Sequence, residues 1–345
     1  MSVAPKGKFD QEIAVSPTAA TERPRTFGEW CAPESERLVR CPSCDEEHPV
    51  RWWSVEMYNY LRCGFCGLVY LDQMPSVSEL ESYYNTAFQV DRERQESKIV
   101  RQYRPMLRVL EEMLPNKGRL LEIGCSYGHF LSKAKTYGWE VEGVEISRSA
   151  ADWAHEKLGL RVHSGTLEDV TPKLRRPYDA VAMFHVLEHA PEPRRLVIQA
   201  KQLLRPGGVL VIRTPNASSW IAKMCGATWE WLTPPAHIHL FSPVSLRILM
   251  ERAGFHVESV TTRRGDAHNT AFELARGMSK RILGQRVVAP TAGSPPPSRR
   301  GWYRSIETLS DTIFRPIEML EAIYFTRRQL HPELLVSARV PELSI

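Results

Sequence analysis

Two acidic residues, Glu122 and Glu145, flank a glycine-containing turn in the middle of the chain. The stretch Arg119-Leu-Leu-Glu-Ile-Gly-Cys-Ser-Tyr-Gly128 reads as a buried strand that runs into a tight turn. Glycine has no Cβ atom, so the backbone at Gly124 and Gly128 lets a ligand approach closely. Glu145 lies at the end of a second predicted strand about 20 residues later, where a carboxylate accepts hydrogen bonds from ribose hydroxyls. These residues predict a nucleotide-type cofactor site.

The glycine spacing separates this turn from a dinucleotide-binding turn. A dinucleotide site requires G-x-G-x-x-G, which seats a pyrophosphate at a helix N-terminus; this chain has Glu122-x-Gly124-x-x-x-Gly128. A carboxylate at that position favours a cationic ligand. The run resembles the first motif of class I S-adenosylmethionine-dependent methyltransferases, D/E-x-G-x-G-x-G, with Ser126 in place of the middle glycine. An ordinary strand-to-helix turn of another doubly wound protein is the alternative.

The resemblance assigns further positions to S-adenosylmethionine. It implies that Glu122 supports the methionine end, that Glu145 binds the ribose, and that Thr166 and Leu167 line the adenine. Cys125 is interpreted as a small packing residue within the turn and not as a nucleophile. The predicted cofactor-binding residues are Glu122, Gly124, Cys125, Ser126, Tyr127, Gly128, Glu145, Ile146, Thr166, Leu167 and Phe184.

Histidines occur in two segments, each predicted to lie at the carboxyl edge of a sheet. Phe184-His-Val-Leu-Glu-His189 directly follows a strand and resembles the H-x-L-E-H-x-x-x-P signature of small-molecule methyltransferases, with Pro193 in the matching place. Pro234-Pro-Ala-His-Ile-His-Leu-Phe-Ser242 resembles the H-x-F-S substrate loop of the same group. Methyl transfer to a hydroxyl requires a base, and histidine titrates near neutrality. The candidate catalytic residues are His189 or His239 as the base, His185 and His237 as neighbours, and Glu188 as the residue that orients an imidazole.

A catalytic divalent metal is the second interpretation of these residues. Imidazole and carboxylate ligands suit such ions, and Glu188, His189 and His239 are the predicted ligands. The similarity to metal-dependent sugar-hydroxyl methyltransferases is partial, because His185 stands where an acid is expected.

Two C-x-x-C pairs near the N-terminus have the spacing of a zinc site. Cys41 and Cys44 are followed after 18 residues by Cys63 and Cys66, within the range typical of four-thiolate sites. Each pair forms a turn whose thiolates share one tetrahedral ion, which leaves no open position for catalysis. The residues between the pairs read as short strands, so we predict a structural zinc ribbon too small to fold without its metal.

The order of the remaining elements predicts the fold class. Strands predicted at 119–123, 140–146, 162, 178–184, 209–213 and 255–261 alternate with helices, which indicates an α/β fold with a parallel sheet covered on both faces. The resemblance implies a Rossmann-like sheet of order 3-2-1-4-5-7-6, in which 333–340 forms the antiparallel seventh strand. The predicted domains are a disordered tail (1–36), the ribbon (37–75), a helical cap (76–115), the core (116–262), a basic helical insertion (263–331) and the final strand (332–345).

Composition and charge restrict the class of protein. The 345 residues are 43% hydrophobic, which is ordinary for a globular protein with a sizeable core. No apolar run approaches the roughly 20 residues of a membrane span. The C-x-x-C pairs fit metal binding in a reducing compartment, so the sequence predicts a cytoplasmic protein. The insertion holds 12 Lys and Arg against 6 Asp and Glu, and its basic amphipathic helices offer a peripheral membrane contact. A roof over the active site or a dimer contact is the simpler interpretation.

Three functions remain open at this point. The order of zinc ribbon, cap and methyltransferase resembles bacterial sugar-modifying enzymes, which implies methylation of a sugar, nucleotide-sugar, glycan or secondary metabolite. Sugar C-methyltransferases share the zinc module but carry a longer C-terminal domain, so O-methylation is favoured. A ribosomal RNA guanine methyltransferase also joins a zinc ribbon to this core, but the ribbon has few basic and aromatic residues and nucleic acid is the weaker alternative. The third is a non-catalytic scaffold or membrane-surface partner.

Overall fold

The computed structural model describes residues 40–55, 57–75, 80, 96–263 and 331–342, without the side chains of 96–102. The strands in chain order are β1 (Val50–Val55), β2 (Tyr58–Arg62), β3 (Val69–Leu71), β4 (Arg119–Ile123), β5 (Glu140–Glu145), β6 (Val162–Ser164), β7 (Tyr178–Phe184), β8 (Leu204–Pro215), β9 (His239–Leu240), β10 (His256–Arg263) and β11 (Glu333–Arg339). The helices are α1 (Glu96–Met113), α2 (His129–Thr136), α3 (Arg148–Leu158), α4 (Leu167–Val170), α5 (Pro193–Leu203), α6 (Trp220–Cys225) and α7 (Pro243–Arg252).

A seven-stranded sheet forms the centre of the molecule, with the order β10-β11-β8-β7-β4-β5-β6. The five strands from β6 to β8 run parallel, and β11 is antiparallel to both neighbours. Counted along the core, this is the predicted order 3-2-1-4-5-7-6, so the predicted fold class is confirmed. Strands β7 and β8 are almost continuously buried because helices cover both faces of the sheet.

Local sequence signals set the ends of the helices. Ser147 caps α3 by accepting a hydrogen bond from the Ala150 amide, and Gly159 ends the helix with a φ of 58°. Ser242 and Ser245 form a capping box at the start of α7. Such caps satisfy amide groups that have no partner within the helix. The capped ends of these helices follow the carboxyl ends of strands, which is the edge where an open α/β sheet binds its ligands.

The predicted fifth strand, 209–213, is too short. Strand β8 begins at Leu204, directly after α5, and includes Pro206-Gly-Gly208, which reads as a turn in the sequence. Leu204 pairs with Tyr178, and the register shifts before Ala180 pairs with Val209. The proline and the glycines are accommodated in this irregular stretch, with Gly207 at a φ of 71°.

The cysteine-containing segment shares a sheet with the core. Strands β1, β2 and β3 continue into β9 in a four-stranded sheet, and Tyr70 of β3 pairs with His239 of β9. Ser43 Oγ donates to the carbonyl oxygen of Ser245 at 2.6 Å, and Ser242 Oγ donates to that of Cys66 at 2.7 Å. The ribbon is therefore fastened to the core through backbone and side chain.

Several predictions lie outside the described residues. They concern the tail 1–36, most of the cap before residue 96, and the insertion from 264 to 330 with its membrane contact. Among the helices that the structure describes, none has the length and apolar character needed to cross a membrane.

Candidate active site

A cavity of about 490 Å³ lies at the carboxyl ends of β4, β5 and β7. This volume is in the range of small-molecule and cofactor sites. Its walls combine the glycine turn, the end of β5, the start of α4 and the segment after β7. The residues that line it are Leu80, Tyr103, Ile123, Gly124, Ser126, Val144, Glu145, Ile146, Gly165, Thr166, Leu167, Glu168, Phe184, His185, Val186, His189, Ala190, Pro191, Glu192, Leu196 and Gln199.

Glu145 presents a buried carboxylate to this cavity. Its two oxygens accept hydrogen bonds from the amides of Ser126 at 2.7 Å and Ser147 at 2.8 Å. Burial raises the pKa of Glu145, and the amides of Ser147, Ser126 and Ile146 oppose that rise. A carboxylate has about four lone-pair directions, so acceptor capacity remains for a ligand hydroxyl.

The turn after β4 brings backbone close to the segment that follows β7. Gly124 has a φ of 72°, and a Cβ atom there would come within 2.4 Å of Val186 Cγ2. Ser126, which replaces the expected middle glycine, has a φ of 49°. The left-handed region is uncommon for residues other than glycine, and the Ser126 amide is held there by Glu145. Ser126 therefore adopts the left-handed conformation that glycine favours, although it carries a side chain.

Glu122 lies behind the turn and is 3% exposed. Its Oε2 atom has no hydrogen-bond partner among the described residues. Burial, and then the charge of Glu145, raise the pKa of Glu122 well above its usual value. A buried acceptor without a partner fits an ammonium or sulfonium group, so this observation and the cavity are compatible with S-adenosylmethionine.

The remaining predicted cofactor residues fall into two sets. Thr166 lines the cavity, but its hydroxyl donates to Asp169 Oδ2 at 2.6 Å in the capping box of α4. Those that line the cavity are Gly124, Ser126, Glu145, Ile146, Thr166, Leu167 and Phe184, and those that do not line it are Glu122, Cys125, Tyr127 and Gly128. Cys125 is buried, and its pKa is raised well above the usual value by burial and by the nearby carboxylates, which suits a packing role.

His189 is the histidine best placed to accept a proton from a bound molecule. It lines the cavity, and its Nδ1 lies 2.9 Å from the carbonyl oxygen of Ala236. That contact makes Nδ1 the donor, so Nε2 carries the lone pair in the neutral ring. Burial lowers the pKa of His189, against the opposing effects of Glu188 and Ala236, which keeps the ring in its basic form near neutral pH.

Glu188 is completely buried beneath the two histidines that line the cavity. One oxygen lies 3.1 Å from His185 Nδ1, and the other accepts a hydrogen bond from Thr214 at 2.9 Å. Burial acts to raise its pKa, but the hydrogen bond from His185 and the charges of nearby imidazoles outweigh burial and lower the pKa of Glu188 to about 2. The residue thus provides a fixed negative charge.

The two histidines of the second segment have different environments. His237 Nδ1 contacts the carbonyl oxygen of Trp231 at 2.6 Å, and the His237 ring lies 4.7 Å from that of His189. His239 is 0% exposed and lies outside the cavity lining. The group that could hold a metal is therefore Glu188, His189 and His237, and the predicted third ligand, His239, is not in it. Pairing of β9 with β3 draws His239 into the interior.

Acid stability tests the burial of His239. Burial lowers its pKa to about 3, despite the raising effect of the Ala190 backbone. The folded state therefore lacks a proton that the unfolded state binds below about pH 6.5. This difference leaves the free energy of unfolding unchanged above that pH and decreases it as the pH falls further. At pH 5 this group alone reduces the free energy of unfolding by roughly 2 kcal/mol. Urea unfolding measures the free energy of unfolding at pH 7 and pH 5. The decrease between the two pH values should be smaller in His239→Phe than in wild type. His256→Gln, a change of an exposed histidine, should show the wild-type decrease.

The four thiols meet in one cluster on the side of the ribbon that faces the core. Cys41 Sγ lies 3.5 Å from Cys66 Sγ, and Cys44 Sγ lies 3.6 Å from Cys63 Sγ. All four sulfur atoms lie within 4.8 Å of one another. A tetrahedral zinc with Zn–S bonds near 2.3 Å requires sulfurs roughly 3.8 Å apart, so the cluster is compatible with a zinc site.

Some residues of the site had not been identified from sequence. Tyr103 of α1 lines the cavity, and Trp231 stacks on His185. Thr214 donates a hydrogen bond to Glu188. Glu333 lies near His185 and forms an ion pair with Arg213. The Trp-Glu-Trp triplet before Pro234 and an acid that opens the last strand were the available signals. Neither spacing indicated a contact with the histidine segment.

The family model and the curated relatives indicate one activity, methyl transfer. Residues 92–260 match a family model described as "Methyltransferase domain". The ubiquinone biosynthesis O-methyltransferase of Coxiella burnetii is 25% identical over 189 residues, which cover 51% of this chain and 80% of that protein. Its counterpart from Xylella fastidiosa is 26% identical over 167 residues, 45% and 68% of the two chains. A Thermotoga maritima SAM-dependent methyltransferase, described as a possible histamine N-methyltransferase, aligns with 19% identity, 76% and 99% coverage and a TM-score of 0.44.

The fold and these matches define the class of enzyme. The strand order is the one expected for a class I methyltransferase. The turn after β4 and Glu145 border one cavity, and the matched segment includes both of them. Residues 92–260 are therefore a methyltransferase domain, and the enzyme is a class I S-adenosylmethionine-dependent methyltransferase by its fold and activity class.

Proposed function

We propose that this enzyme O-methylates a hydroxyl of a small molecule, namely a sugar, nucleotide-sugar, glycan or secondary metabolite, with His189 as the general base. The observation that carries the proposal is that Glu145 and His189 line the same cavity. In this proposal Glu145 binds the ribose of the donor, and His189 accepts the proton of the acceptor hydroxyl. The O-methyltransferase relatives support a hydroxyl as the acceptor group.

The residues around the cavity divide the work. Glu145 and Leu167 would hold the ribose and adenine of S-adenosylmethionine, and Glu122 would favour its cationic methionine end. When bound, this cofactor supplies an electrophilic methyl group. His189 takes the hydroxyl proton at Nε2, and the adjacent carboxylate of Glu188 stabilises the imidazolium that forms. Apolar Leu80 and Phe184 exclude water from the reacting groups.

A divalent metal is the second candidate for activating the hydroxyl. Glu188, His189 and His237 place one ligand atom each within 4.8 Å of the others, and imidazole and carboxylate suit such ions. In that case the three residues hold the ion, and it lowers the pKa of the acceptor hydroxyl. Metal analysis separates the two: a second divalent metal per chain that is lost in His237→Gln supports the metal, and its absence from fully active enzyme supports the base.

We also propose that Cys41, Cys44, Cys63 and Cys66 bind a structural zinc ion. The short sulfur–sulfur distances support this, and so does the small size of the sheet that the two turns close. All four positions of a tetrahedral ion would be filled by thiolates, so the zinc takes no part in methyl transfer.

Donor binding is expected to depend strongly on Glu145. Replacing Glu145 with glutamine removes the charge from the carboxylate that faces the ribose, and a hydrogen bond to a charged group contributes about 1.5–3 kcal/mol. The Kd for S-adenosylmethionine in isothermal titration calorimetry should therefore rise roughly 10- to 100-fold. Glu140→Gln, an exposed change at the start of the same strand, should leave the Kd unchanged. Equal affinities of the two variants would contradict the assigned role.

The acceptor class is tested with a panel. Purified enzyme and S-adenosylmethionine labelled in the methyl group are incubated with nucleotide-sugars, free glycosides, phenols and bulk RNA, and the methylated atom is identified by mass spectrometry and NMR. Label on an oxygen of a small molecule supports the proposal. Transfer only to RNA, or only to carbon, overturns it.

A further inference from the structure

His185 is held in an unusual backbone conformation at the carboxyl end of β7. Its φ is 57°, a value that residues other than glycine rarely adopt because it is strained for them. The His185 amide donates to the carbonyl oxygen of Arg213 at 2.9 Å, which fixes the backbone on the β8 side. Such strain persists only where surrounding contacts over-determine the conformation.

The His185 ring lies between two buried carboxylates. Nδ1 is 3.1 Å from Glu188 Oε1, and Nε2 is 3.6 Å from Glu333 Oε1. The ring also stacks on Trp231, with centroids 5.3 Å apart and planes inclined by 8°. Nδ1 therefore contacts Glu188, Nε2 faces Glu333, and one face of the ring packs on Trp231, so the orientation of the imidazole depends on all three residues.

Glu333 is in turn held by Arg213 in the interior. Arg213 Nε and a terminal nitrogen lie 2.8 and 2.5 Å from Glu333 Oε2, and the side chains are 7% and 5% exposed. The strand register accounts for this contact. Glu333 of β11 lies opposite Pro215 of β8, and Arg213 lies two residues before Pro215 in the same strand. The side chains of Glu333 and Arg213 therefore project from the same face of the sheet. The other oxygen of Glu333 faces His185.

From this network we infer that Glu333 is a positioning residue for methyl transfer. This inference rests on the proposed function of His189. Glu333, fixed by Arg213, sets the orientation of His185, and His185 sets that of Glu188. A carboxylate oxygen of Glu188 and one ring nitrogen each of His189 and His237 all lie within 4.8 Å of one another. Displacement of Glu188 therefore changes the field at the base without touching the donor site.

The decisive variant is Glu333→Gln. The amide oxygen still accepts from Arg213, but the negative charge that faces His185 Nε2 is gone. We expect kcat to fall about 10- to 100-fold, as small misplacements of reacting groups do, with the Kd for S-adenosylmethionine unchanged. Glu333→Asp keeps the charge and should recover part of kcat. The matched control is Glu258→Gln, which removes an exposed carboxylate paired with Arg339 in the same sheet.

A spectroscopic measurement keeps the inference independent of activity. Stacking on Trp231 should shift the ring protons of His185 upfield in a ¹H–¹³C spectrum, with the signal assigned by its loss in His185→Gln. Loss of the upfield shift in Glu333→Gln, and its retention in Glu258→Gln, support the inference. An unchanged shift together with a kcat equal to that of the control overturns it. If wild type methylates no acceptor, the proposed function fails, and the His185 signal still decides the role of Glu333.

Discussion

The His189→Gln variant is expected to lose about 10²- to 10⁴-fold in kcat, the usual contribution of a general base. Glutamine keeps a donor for the carbonyl oxygen of Ala236, the contact that fixes the ring in the wild type, but it cannot take a proton. The Kd for S-adenosylmethionine should stay within a factor of about two, because the donor-binding carboxylate is a different residue. Single-turnover kinetics and calorimetry on the same preparation measure both quantities.

The pH dependence of kcat provides a second reading of the same residue. His189 acts as a base only when neutral, and burial lowers its pKa from the usual 6.5. The rate should therefore hold from neutral pH down through about pH 6.5 and fall only at more acidic pH. His256→Gln, a change of an exposed histidine, is the control and should keep the wild-type profile. Substantial activity in His189→Gln with a normal acid limb would rule out the assignment.

The Cys63→Ser variant is expected to lose both the metal and the order of the histidine segment. A structural zinc contributes on the order of 10 kcal/mol of binding free energy, which is also folding free energy. Cys63 is followed by β3, whose Tyr70 pairs with His239 and whose Leu71 amide donates to the Ile238 carbonyl oxygen at 3.0 Å. Elemental analysis should find zinc in wild type and none in the variant, with faster hydrogen exchange at residues 238–240 and loss of methyl transfer.

Another cysteine of the chain provides the control for this result. Cys225 is buried at the end of α6 and lies outside the group of four thiols. Cys225→Ala should keep its zinc and its protection at 238–240, with a modest loss of stability from the lost packing. Wild-type enzyme that contains no zinc, or a metal-free Cys63→Ser that remains active, would disprove the role proposed for the cluster.

Local patterns were sufficient to predict the sheet. Strands β4 and β7 contain apolar runs, turn residues separate the elements, and the alternation of strands with helices leaves few topologies. The start of β8 was missed because Pro206-Gly-Gly208 has the composition of a turn and is strand only through its pairing with β7. The conformation of the turn after β4 could be predicted because its residues are adjacent in sequence and its glycines favour a positive φ.

The histidine-containing side of the cavity was only partly predictable. The position of His185, Glu188 and His189 followed from their place after β7, since ligands bind at the carboxyl ends of parallel strands. The choice between His237 and His239 depends on β3–β9 pairing, and the contact of Arg213 with Glu333 joins residues 120 positions apart. Such non-local contacts have no signature in one sequence.

The edge that β9 offers to β3 has a practical consequence for anyone who shortens this protein. A fragment that began at residue 96 would retain all seven strands of the large sheet, yet the backbone of His239 and Leu240 would lose its partner strand. Tyr60 would no longer donate its hydroxyl to the carbonyl oxygen of His237 at 2.8 Å. The bared edge would be open to association with other chains, so the catalytic half of this enzyme cannot be treated as a detachable module.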